Sequence, residues 1–433
     1  MGLVHVWEDE RDKPNIQITH QDRRSPHVLH GYRNDDPKIK IVKVDVSIPR
    51  PQNYLQIRQG EKVYEQEANS PVRNFYVRCL CMLCGVTNLI DAGFNIRKQD
   101  GTLDSVNNSI AKISAAAEVN IHIVGDYGYC ANVNSDSYGI AVGSGNTAWT
   151  LDNYMPETLI QQGTTTGKLV YSATPSPIIS YSGGVWTVLG RRVFDNFNAD
   201  GNTITVKEVV QFVPNFSSST FKYIYIDERT VLGTPKDIPY KSGAIFTYTR
   251  TLPTDINSGM TSNAYAILLM HAFAVNNHES LTVYGEGYRS VRTIGGGTFY
   301  STNLVGGYMG IGNQNHYCVA GYGNTAVTFN DYNLKSQFAS GTGINKLVHQ
   351  TQNTPSAVYD SPSKTFTVTR SRTLTNGYGS SQDVKEIGMT GEYSATNDPA
   401  ATYLMSRVVL GSPVALAQNE SIAIIYDFNM IHP

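Results

Sequence analysis

Two glutamates come nearest to acid–base chemistry in type and spacing. Glu208 and Glu386 each follow a lysine, and they stand 178 residues apart. A glycoside hydrolase needs two carboxyl groups about 5–10 Å apart across a cleft. Both glutamates, however, lie in alternating, strand-like runs, where adjacent side chains point to opposite faces. We therefore interpret them as structural residues that pair with Arg229 and Arg407 or with a neighbouring subunit.

Cysteine and histidine offer the next candidates, for metal binding. Cys79, Cys81 and Cys84 form a CxCxxC pattern inside a predicted helix, where residues two apart point to different sides. No second pair lies nearby to complete a tetrahedral shell. His27 and His30 lie in a stretch that favours a loop. The sequence predicts no metal site, and an odd set of five cysteines indicates reduced thiols.

Motifs for cofactor or nucleophilic chemistry are also missing from the sequence. It contains no P-loop, no HExxH and no GxSxG elbow. Gly143-Ser144-Gly145 and Gly321-Tyr322-Gly323 are GxG fragments without a βαβ context. We predict a protein that is not an enzyme, with no catalytic, cofactor-binding or metal-binding residue and no cofactor.

Composition favours a β-rich protein. Of 433 residues only 16% are charged, whereas Gly (38) and Tyr (27) are abundant, and such residues build strands and turns. Lys plus Arg (34) nearly balance Asp plus Glu (36), which argues against a dedicated nucleic-acid binder. No apolar run is long enough to span a membrane, and no secretory signal is visible. We expect synthesis in a host cytoplasm and no membrane partner.

An internal repeat with an offset of 178 residues organises the chain. Shared glycines, hydrophobic residues and charges keep this register across roughly 110 positions, which chance does not do. The matched segments are Gly143–Ala148 with Gly321–Ala326, Lys168–Val170 with Lys346–Val348, Val206–Val209 with Val384–Ile387, Arg229–Pro235 with Arg407–Pro413, and Tyr248 with Tyr426. The sequence therefore predicts two copies of one domain.

The strand pattern within each copy predicts two tandem antiparallel β-sandwich or jelly-roll-like domains. In the second copy, alternating runs cover Thr365–Arg370, Val384–Met389, Tyr403–Leu410 and Ser421–Phe428, with turn residues between them. The last two runs are expected to pair as a closing hairpin. The glycine-rich turn that opens each copy is expected to need positive φ angles.

These observations divide the chain into four parts. Residues 1–68 form an extended N-terminal arm with one strand-like stretch, Ile39–Ile48. The first sandwich covers 69–255 and begins with a helix over 70–85, for which Ser70 is the predicted N-cap and Pro71 the first helical residue. Residues 256–315 are a connector or the closing hairpin of the first domain. The second sandwich covers 316–433.

The motifs that open and close the copies resemble those of a viral family. The SPVRNF helix start, the GxGNTAxxxxxxY segment, the VKE(V/I) strand and the RxVLGxP run are similar to uncharacterised virion structural proteins of tailed bacteriophages and related viruses. The likeness covers about residues 60–250 and 316–430 and consists of framework residues. It implies a structural role in the particle, as capsid decoration, neck or tail component.

The expected function is thus that of a homo-oligomeric virion protein. Its partners would be other copies of itself and other virion proteins, with the arm contacting neighbours. Deleting residues 1–60 should then leave the sandwiches folded and abolish assembly. The alternative is a glycan-binding, fibre-like or lectin-like adhesion protein that engages a host glycan through tyrosine-lined loops.

Overall fold

The chain folds into a mainly β protein with several antiparallel sheets, seen here in a computed structural model. The residues that the structure describes are 4–7, 38–68, 71–84, 96–104, 133–137, 139–173, 178–217, 220–254, 260–268, 291–292, 295, 298–299, 317–350, 355–392 and 402–432. Within these ranges no helix has the length and apolar character needed to cross a membrane.

Two helices and twenty-three strands make up the described part. The helices are α1 (Arg73–Cys84) and α2 (Ser262–Ile267). The strands are β1 (Val4–Trp7), β2 (Ile39–Ser47), β3 (Gln52–Gln59), β4 (Lys62–Glu67), β5 (Ile96–Arg97), β6 (Leu103–Asp104), β7 (Gly139–Gly143), β8 (Val170–Tyr171), β9 (Ile178–Ser182), β10 (Val185–Asp195), β11 (Ile204–Ser217), β12 (Thr220–Ile238), β13 (Gly243–Pro253), β14 (Val291–Arg292), β15 (Thr298–Phe299), β16 (Tyr317–Gly321), β17 (Ala339–Ser340), β18 (Lys346–His349), β19 (Ser356–Asp360), β20 (Thr365–Thr375), β21 (Gln382–Glu392), β22 (Thr402–Leu416) and β23 (Ser421–Ile431).

The strand pairings recur along the chain. A three-stranded sheet has the order β12-β11-β7, and its counterpart has the order β22-β21-β16. The larger sheets repeat in the same way, since β13-β10-β8 with β9 on β10 matches β23-β20-β18 with β19 on β20. We call residues 71–253 the first copy and residues 260–431 the second copy.

The residue offset between equivalent strands of the two copies is 178, except at one pair of strands. It is 178 for β9 with β19, for β11 with β21 and for β13 with β23, but 180 for β10 with β20. The turn before β20 is two residues longer than the turn before β10, and the loop after β20 is two residues shorter. Both length changes lie in loops, where the sheet tolerates them.

Helix α1 begins later than expected. Pro71 forms a β-bridge with Glu228 rather than the first turn, and the helix starts at Arg73. The predicted N-cap, Ser70, lies outside the described residues. Most of the helix is buried, which matches its run of apolar side chains.

Helix α2 occupies the same place in the second copy. The Val72 and Arg73 amides donate to the carbonyls of Asp227 (3.0 Å) and Leu151 (2.8 Å). The amides of Thr261 and Ser262 donate to the equivalent carbonyls, those of Met405 (2.9 Å) and Phe329 (2.8 Å). Residues 260–268 therefore begin the second copy and are neither a connector nor a closing hairpin, and the last strand of the first copy, β13, ends at Pro253.

The prediction that the last two strands of the second copy form a closing hairpin is wrong. Strand β22 pairs with β21, and β23 pairs with β20 and β2, so the two runs lie in different sheets. Their alternation predicts strands correctly, but it carries no information about the partner strand.

The described part of the N-terminal segment belongs to both large sheets, which corrects the prediction of a separate arm. Strand β2 pairs in parallel with β23, from Ile39 opposite Ser421 to Ser47 opposite Asn429. Strand β3 pairs antiparallel with β13 and forms a hairpin with β4. Residues 39–67 thus join the two copies within one chain.

Helix α1 lies where the copies meet. Its Phe75 ring contacts the Arg250 guanidinium of the first copy (4.8 Å), and its Tyr76 ring stacks on Phe366 of the second (5.3 Å). Arg370 of the second copy donates to the Cys84 carbonyl at the end of the helix. One hydrophobic core therefore runs through both copies.

Candidate functional site

A buried carboxylate organises the glycine-rich loop of the first copy. Glu208 on β11 is fully buried and accepts a hydrogen bond from Arg229 Nε on β12 (2.7 Å). It also accepts from the amides of Gly145 (3.1 Å), Thr158 (3.0 Å) and Glu157 (3.2 Å). Both carboxylate oxygens are therefore engaged by the loop and the arginine.

The same arginine holds the loop from its other side. Arg229 Nη2 donates to the Thr147 carbonyl (3.0 Å), and Nη1 donates to Asn153 Oδ1 (3.1 Å) and weakly to the Ala148 carbonyl (3.4 Å). A guanidinium can donate five hydrogen bonds in a fixed plane, so it suits a position surrounded by carbonyls. We call Glu208, Arg229 and the loop they hold the loop anchor.

The second copy contains the same loop anchor. Arg407 Nε donates to Glu386 Oε2 (2.8 Å), and Nη2 donates to the Thr325 carbonyl (2.9 Å). The Ser336 amide donates to Glu386 Oε1 (2.9 Å), as the equivalent Thr158 amide does to Glu208. The ion pairs predicted from the repeat are thus confirmed in both copies.

The loop glycines are required for space and not for positive φ. A Cβ on Gly145 would lie 2.6 Å from Glu208 Oε1, and one on Gly323 would lie 2.5 Å from Glu386 Oε1. Neither these glycines nor Gly143 and Gly321 have positive φ angles. The expectation of left-handed backbone was wrong here, because the constraint is the carboxylate that packs against the chain.

Two positions beside the loop anchor carry different residues in the two copies. Asn153 and Glu157 of the first copy correspond to Asp331 and Lys335 of the second. Glu157 accepts from the Asn146 and Thr147 amides (2.7 and 2.8 Å), and the Thr147 amide contributes most to holding the pKa of its carboxyl low. Lys335 instead pairs with Asp331 (3.1 Å), which also binds Arg407 (2.8 Å).

These contacts lower the pKa of the Asp331 carboxyl. Burial alone would raise the pKa of its carboxyl, but hydrogen bonds from the Thr328 amide, Arg407 and Lys335 outweigh burial and lower it. Such a carboxyl is ionised at neutral pH and neutralises its partners. Each anchor has its acceptors and donors satisfied internally, which leaves a framework rather than a reactive group.

The cysteines of α1 are buried in the core. Burial raises the pKa of the Cys79 thiol to about 12 and also raises that of Cys84, so both are protonated and unreactive at neutral pH. The Cys81 side chain, His27 and His30 lie outside the described residues. No group of three or more His, Cys, Asp or Glu that could hold a metal ion occurs in the described ranges.

A second buried polar cluster joins the first copy to β3, and the described residues of the second copy contain no equivalent of it. Arg78 of α1 pairs with Asp227, and Arg250 pairs with Glu228 while its Nε donates to Asn53 (2.9 Å). The cluster connects α1, β12, β13 and β3. Sequence reasoning missed it, although one signal was available: Asp227, Glu228 and Arg250 correspond to Met405, Ser406 and Phe428 in the second copy.

Exposed aromatic side chains also distinguish the copies. Phe197 and Tyr240 are about half exposed, at 50% and 43%, on a loop and a turn that are joined by backbone hydrogen bonds. Lys241 lies over the Tyr240 ring (5.2 Å). The equivalent residues of the second copy are Gly377 and Gln418, so this aromatic pair is not part of the shared framework.

Comparison of the chain with models of protein families, with curated proteins and with solved structures gave no match.

Proposed function

We propose that this chain is a structural subunit of a virus particle of the tailed-phage type and that it assembles with copies of itself. The observation that carries the proposal is the loop anchor, which is built twice from the same residue types with the same geometry. Three of the four motifs that carry the resemblance to virion proteins, GxGNTA, VKE(V/I) and RxVLGxP, contain the residues of this anchor, and the fourth, SPVRNF, leads into helix α1.

The position of the buried charged residues supports an architectural role. Glu208, Arg229, Glu386 and Arg407 are buried and satisfied within their own copy. An enzyme keeps groups poised towards a substrate, usually with asymmetric environments. Duplicated, internally satisfied groups instead stabilise two equal units, which suits a subunit that repeats in an assembly.

The shared elements support the same role. Strands β2 and β3 and helix α1 connect the copies, so the chain forms one two-part body with a shared core. A closed ring of n such chains would present 2n similar units, so a trimer would present six. Capsid decoration, neck and tail components all fit this description.

The test is mass spectrometry across density-gradient fractions of a lysate that contains the source particle. Co-migration with particles in many copies is the expected result, and the copy number separates surface decoration from a neck or tail ring. Absence from the particle peak would overturn the proposal.

The second candidate is a glycan-binding role, which the exposed Phe197 and Tyr240 favour. Aromatic faces beside a lysine suit stacking on sugar rings, and loops on a rigid scaffold commonly carry recognition. A glycan array probed with the full chain and with the F197A/Y240A variant tests it. Binding that disappears in the variant supports this candidate, and absence of binding by the full chain excludes it for the sugars on the array.

A further inference from the structure

We propose that the outer edge of β22 in the second copy is a docking site for an extended segment of another protein that presents a glutamine side chain to residues 409–413. Such docking does not require the virion role proposed above. In the first copy the equivalent edge is occupied by the hairpin of β3 and β4, and this occupant shows which chemistry the edge binds.

Both copies carry the same large bulge at this edge. In β12, residues 232–235 stand opposite only Lys207 of β11, and in β22, residues 410–413 stand opposite only Lys385 of β21. The RxVLGxP motif forms the bulge in each copy. A bulge interrupts the ladder of the sheet, so its backbone groups are available to partners on the outer side.

One carboxamide binds the bulge of the first copy. Gln66 Nε2 donates to the Val231 carbonyl (3.1 Å), and Gln66 Oε1 accepts from the Gly233 amide (3.0 Å). The Tyr64 hydroxyl donates to the same Oε1 (2.6 Å) and orients the amide. A Cβ on Gly233 would lie 3.6 Å from Tyr64 Oη and 3.9 Å from Gln66 Oε1, so the occupant packs directly against the bulge.

The bulge of the second copy is open. The equivalent carbonyl and amide belong to Val409 and Gly411, and no side chain in the described part of the chain binds them. A Cβ on Gly411 would meet no atom within 4 Å. Residues 411–413 are exposed. The same backbone groups that are bound in the first copy are therefore accessible in the second.

The strand register explains why the chain does not cover this edge itself. Strand β1 lies beside β2 as β4 lies beside β3. Gln66 is two strands from Tyr248 of β13, and Val4 is two strands from Tyr426, the equivalent residue of β23. Val4 therefore holds the register position of Gln66, and a valine offers neither a donor nor an acceptor.

The side chains of the open edge define the partner further. Lys236 Nζ of the first copy lies over the Tyr64 ring (3.6 Å), but its equivalent in the second copy is Val414. Residues 408–415 as a whole carry no charge. A charged side chain beside the docked glutamine would lose water without gaining an opposite charge, so the site suits a glutamine between apolar neighbours.

The partner is a different protein rather than a second copy bound through its β4. Gln66 of every copy of the chain is already bound to its own β12. An extended segment that joins a sheet edge gains affinity from main-chain hydrogen bonds and specificity from side chains. At this edge the carboxamide supplies the specificity.

Two synthetic peptides test the site on the full chain. One has the sequence of residues 60–68, the occupant of the first edge, and the other differs only by the Q66L substitution. Saturation-transfer difference NMR, read on the peptide's tyrosine ring, measures both affinities. The first peptide is expected to bind, and the Q66L peptide is expected to bind about tenfold more weakly, since both hydrogen bonds of the carboxamide are lost. Equal binding of the two peptides, or no transfer to either at millimolar concentration, overturns the proposal.

Variants of Gly411 locate the bound peptide. G411A should bind as the wild type does, because a Cβ on the equivalent Gly233 makes only ordinary contacts in the occupied edge. G411W fills the space that the glutamine needs and should abolish binding. Binding that persists in G411W would place the peptide elsewhere, for example at the first edge after displacement of β4, and would contradict the proposal.

Thermal melts verify that the variants fold, which the open surroundings of Gly411 favour. If G411W does not fold, G411R places another long side chain in the same space and is interpreted in the same way. The comparison of the two peptides on the wild-type chain needs no folded variant, so it decides whether a carboxamide is recognised in either case.

Discussion

Single buried residues hold the loops of this protein in place. Glu208 and Arg229 are each at most 1% exposed, and between them they bind five backbone groups of one loop. Removing one partner of a buried ion pair leaves an uncompensated charge in a low-dielectric interior. The stability of the loop therefore depends on both members.

We expect E208Q to lower the free energy of unfolding by about 3–5 kcal/mol, because Arg229 would keep its charge without a counter-ion. E386Q should cost less than E208Q, because Asp331 still pairs with Arg407 (2.8 Å) and leaves that guanidinium with a counter-ion. Urea unfolding followed by tryptophan fluorescence measures both. The control is K207Q, next to Glu208 but on the opposite, partly exposed face, which should change stability by less than about 0.5 kcal/mol.

Asp331 should make stability depend on acid pH. Its pKa in the folded state lies below the ordinary value of about 3.9, so its ionised form stabilises the fold above that pH, and the contribution is lost as the pH falls through the folded pKa. The difference in unfolding free energy between the wild type and D331N should be constant above about pH 5 and shrink below it. Urea titrations from pH 7 to about pH 3 test this.

A matched variant in the first copy controls the acid-pH experiment. Asn153 occupies the position of Asp331 and does not titrate, so N153A should destabilise equally across the same pH range. A D331N difference that does not change with pH would contradict the assignment.

Some of the buried ion pairs could be predicted from the sequence. Glu208 with Arg229 and Glu386 with Arg407 recur together at one offset, which indicates that each pair acts as a unit. Arg78 with Asp227 and Arg250 with Glu228 occur once, and their partners lie on elements that meet only after folding. A single sequence shows that Asp227, Glu228 and Arg250 are not repeated in the second copy, but it does not show which residues they contact.

At the scale of elements, the hairpin of β3 and β4 closes the side of the first copy. The Gln66 amide donates to Val231 and accepts from Gly233, which replaces the ladder bonds that the outer edge of β12 lacks at this point. A side-chain amide offers a donor and an acceptor with the spacing of a peptide group.

We expect Q66L to lower the free energy of unfolding by about 0.5–1.5 kcal/mol, since the partly buried Val231 carbonyl and the exposed Gly233 amide exchange the Gln66 amide for water. Chemical denaturation measures the loss. Q56L on β3 is the control, because Gln56 makes only an exposed hydrogen bond to Glu65 (2.7 Å) and should be nearly neutral. Equal effects of the two variants would contradict a sealing role for Gln66.

Element types were more predictable than element partners. Alternation located the strands of the second copy correctly, as β20 to β23 show. It did not reveal that β22 and β23 separate into two sheets or that β2 joins β23, because alternation defines the faces of a strand and not its neighbours. Helix α2 was missed as a counterpart of α1, since only Asn263 and Tyr265 repeat Asn74 and Tyr76 and loop lengths shift their offset to 189.

On the scale of the whole molecule, the copies depend on each other. Helix α1 contributes to the core of both, and Arg370 of the second copy binds the carbonyl of Cys84. The earlier expectation that removal of residues 1–60 leaves both sandwiches folded therefore conflicts with the positions of β2 and β3.

We now expect the 61–433 fragment to lose cooperative unfolding, because β13 and β23 would each lose a neighbouring strand and its apolar side chains. Circular dichroism melts and limited proteolysis measure this. A fragment that melts as sharply as the full chain would contradict the interlocked architecture.

Separate halves should complement each other. Fragments 1–255 and 256–433 are each expected to be soluble and folded only when co-expressed, because β2 and α1 belong to the first fragment and complete the second. Co-purification through a tag on one fragment is the measurement. A 256–433 fragment that folds alone would contradict the dependence.

The pairing of β2 with β23 has a consequence for synthesis. Ile39 faces Ser421, so almost the whole chain must be translated before this sheet can close. At about 5–20 residues per second, β2 waits roughly 20–80 s for its partner on the ribosome. During that interval the nascent chain carries an unsatisfied strand, so a chain that terminates before β23 is made would leave β2 without its partner.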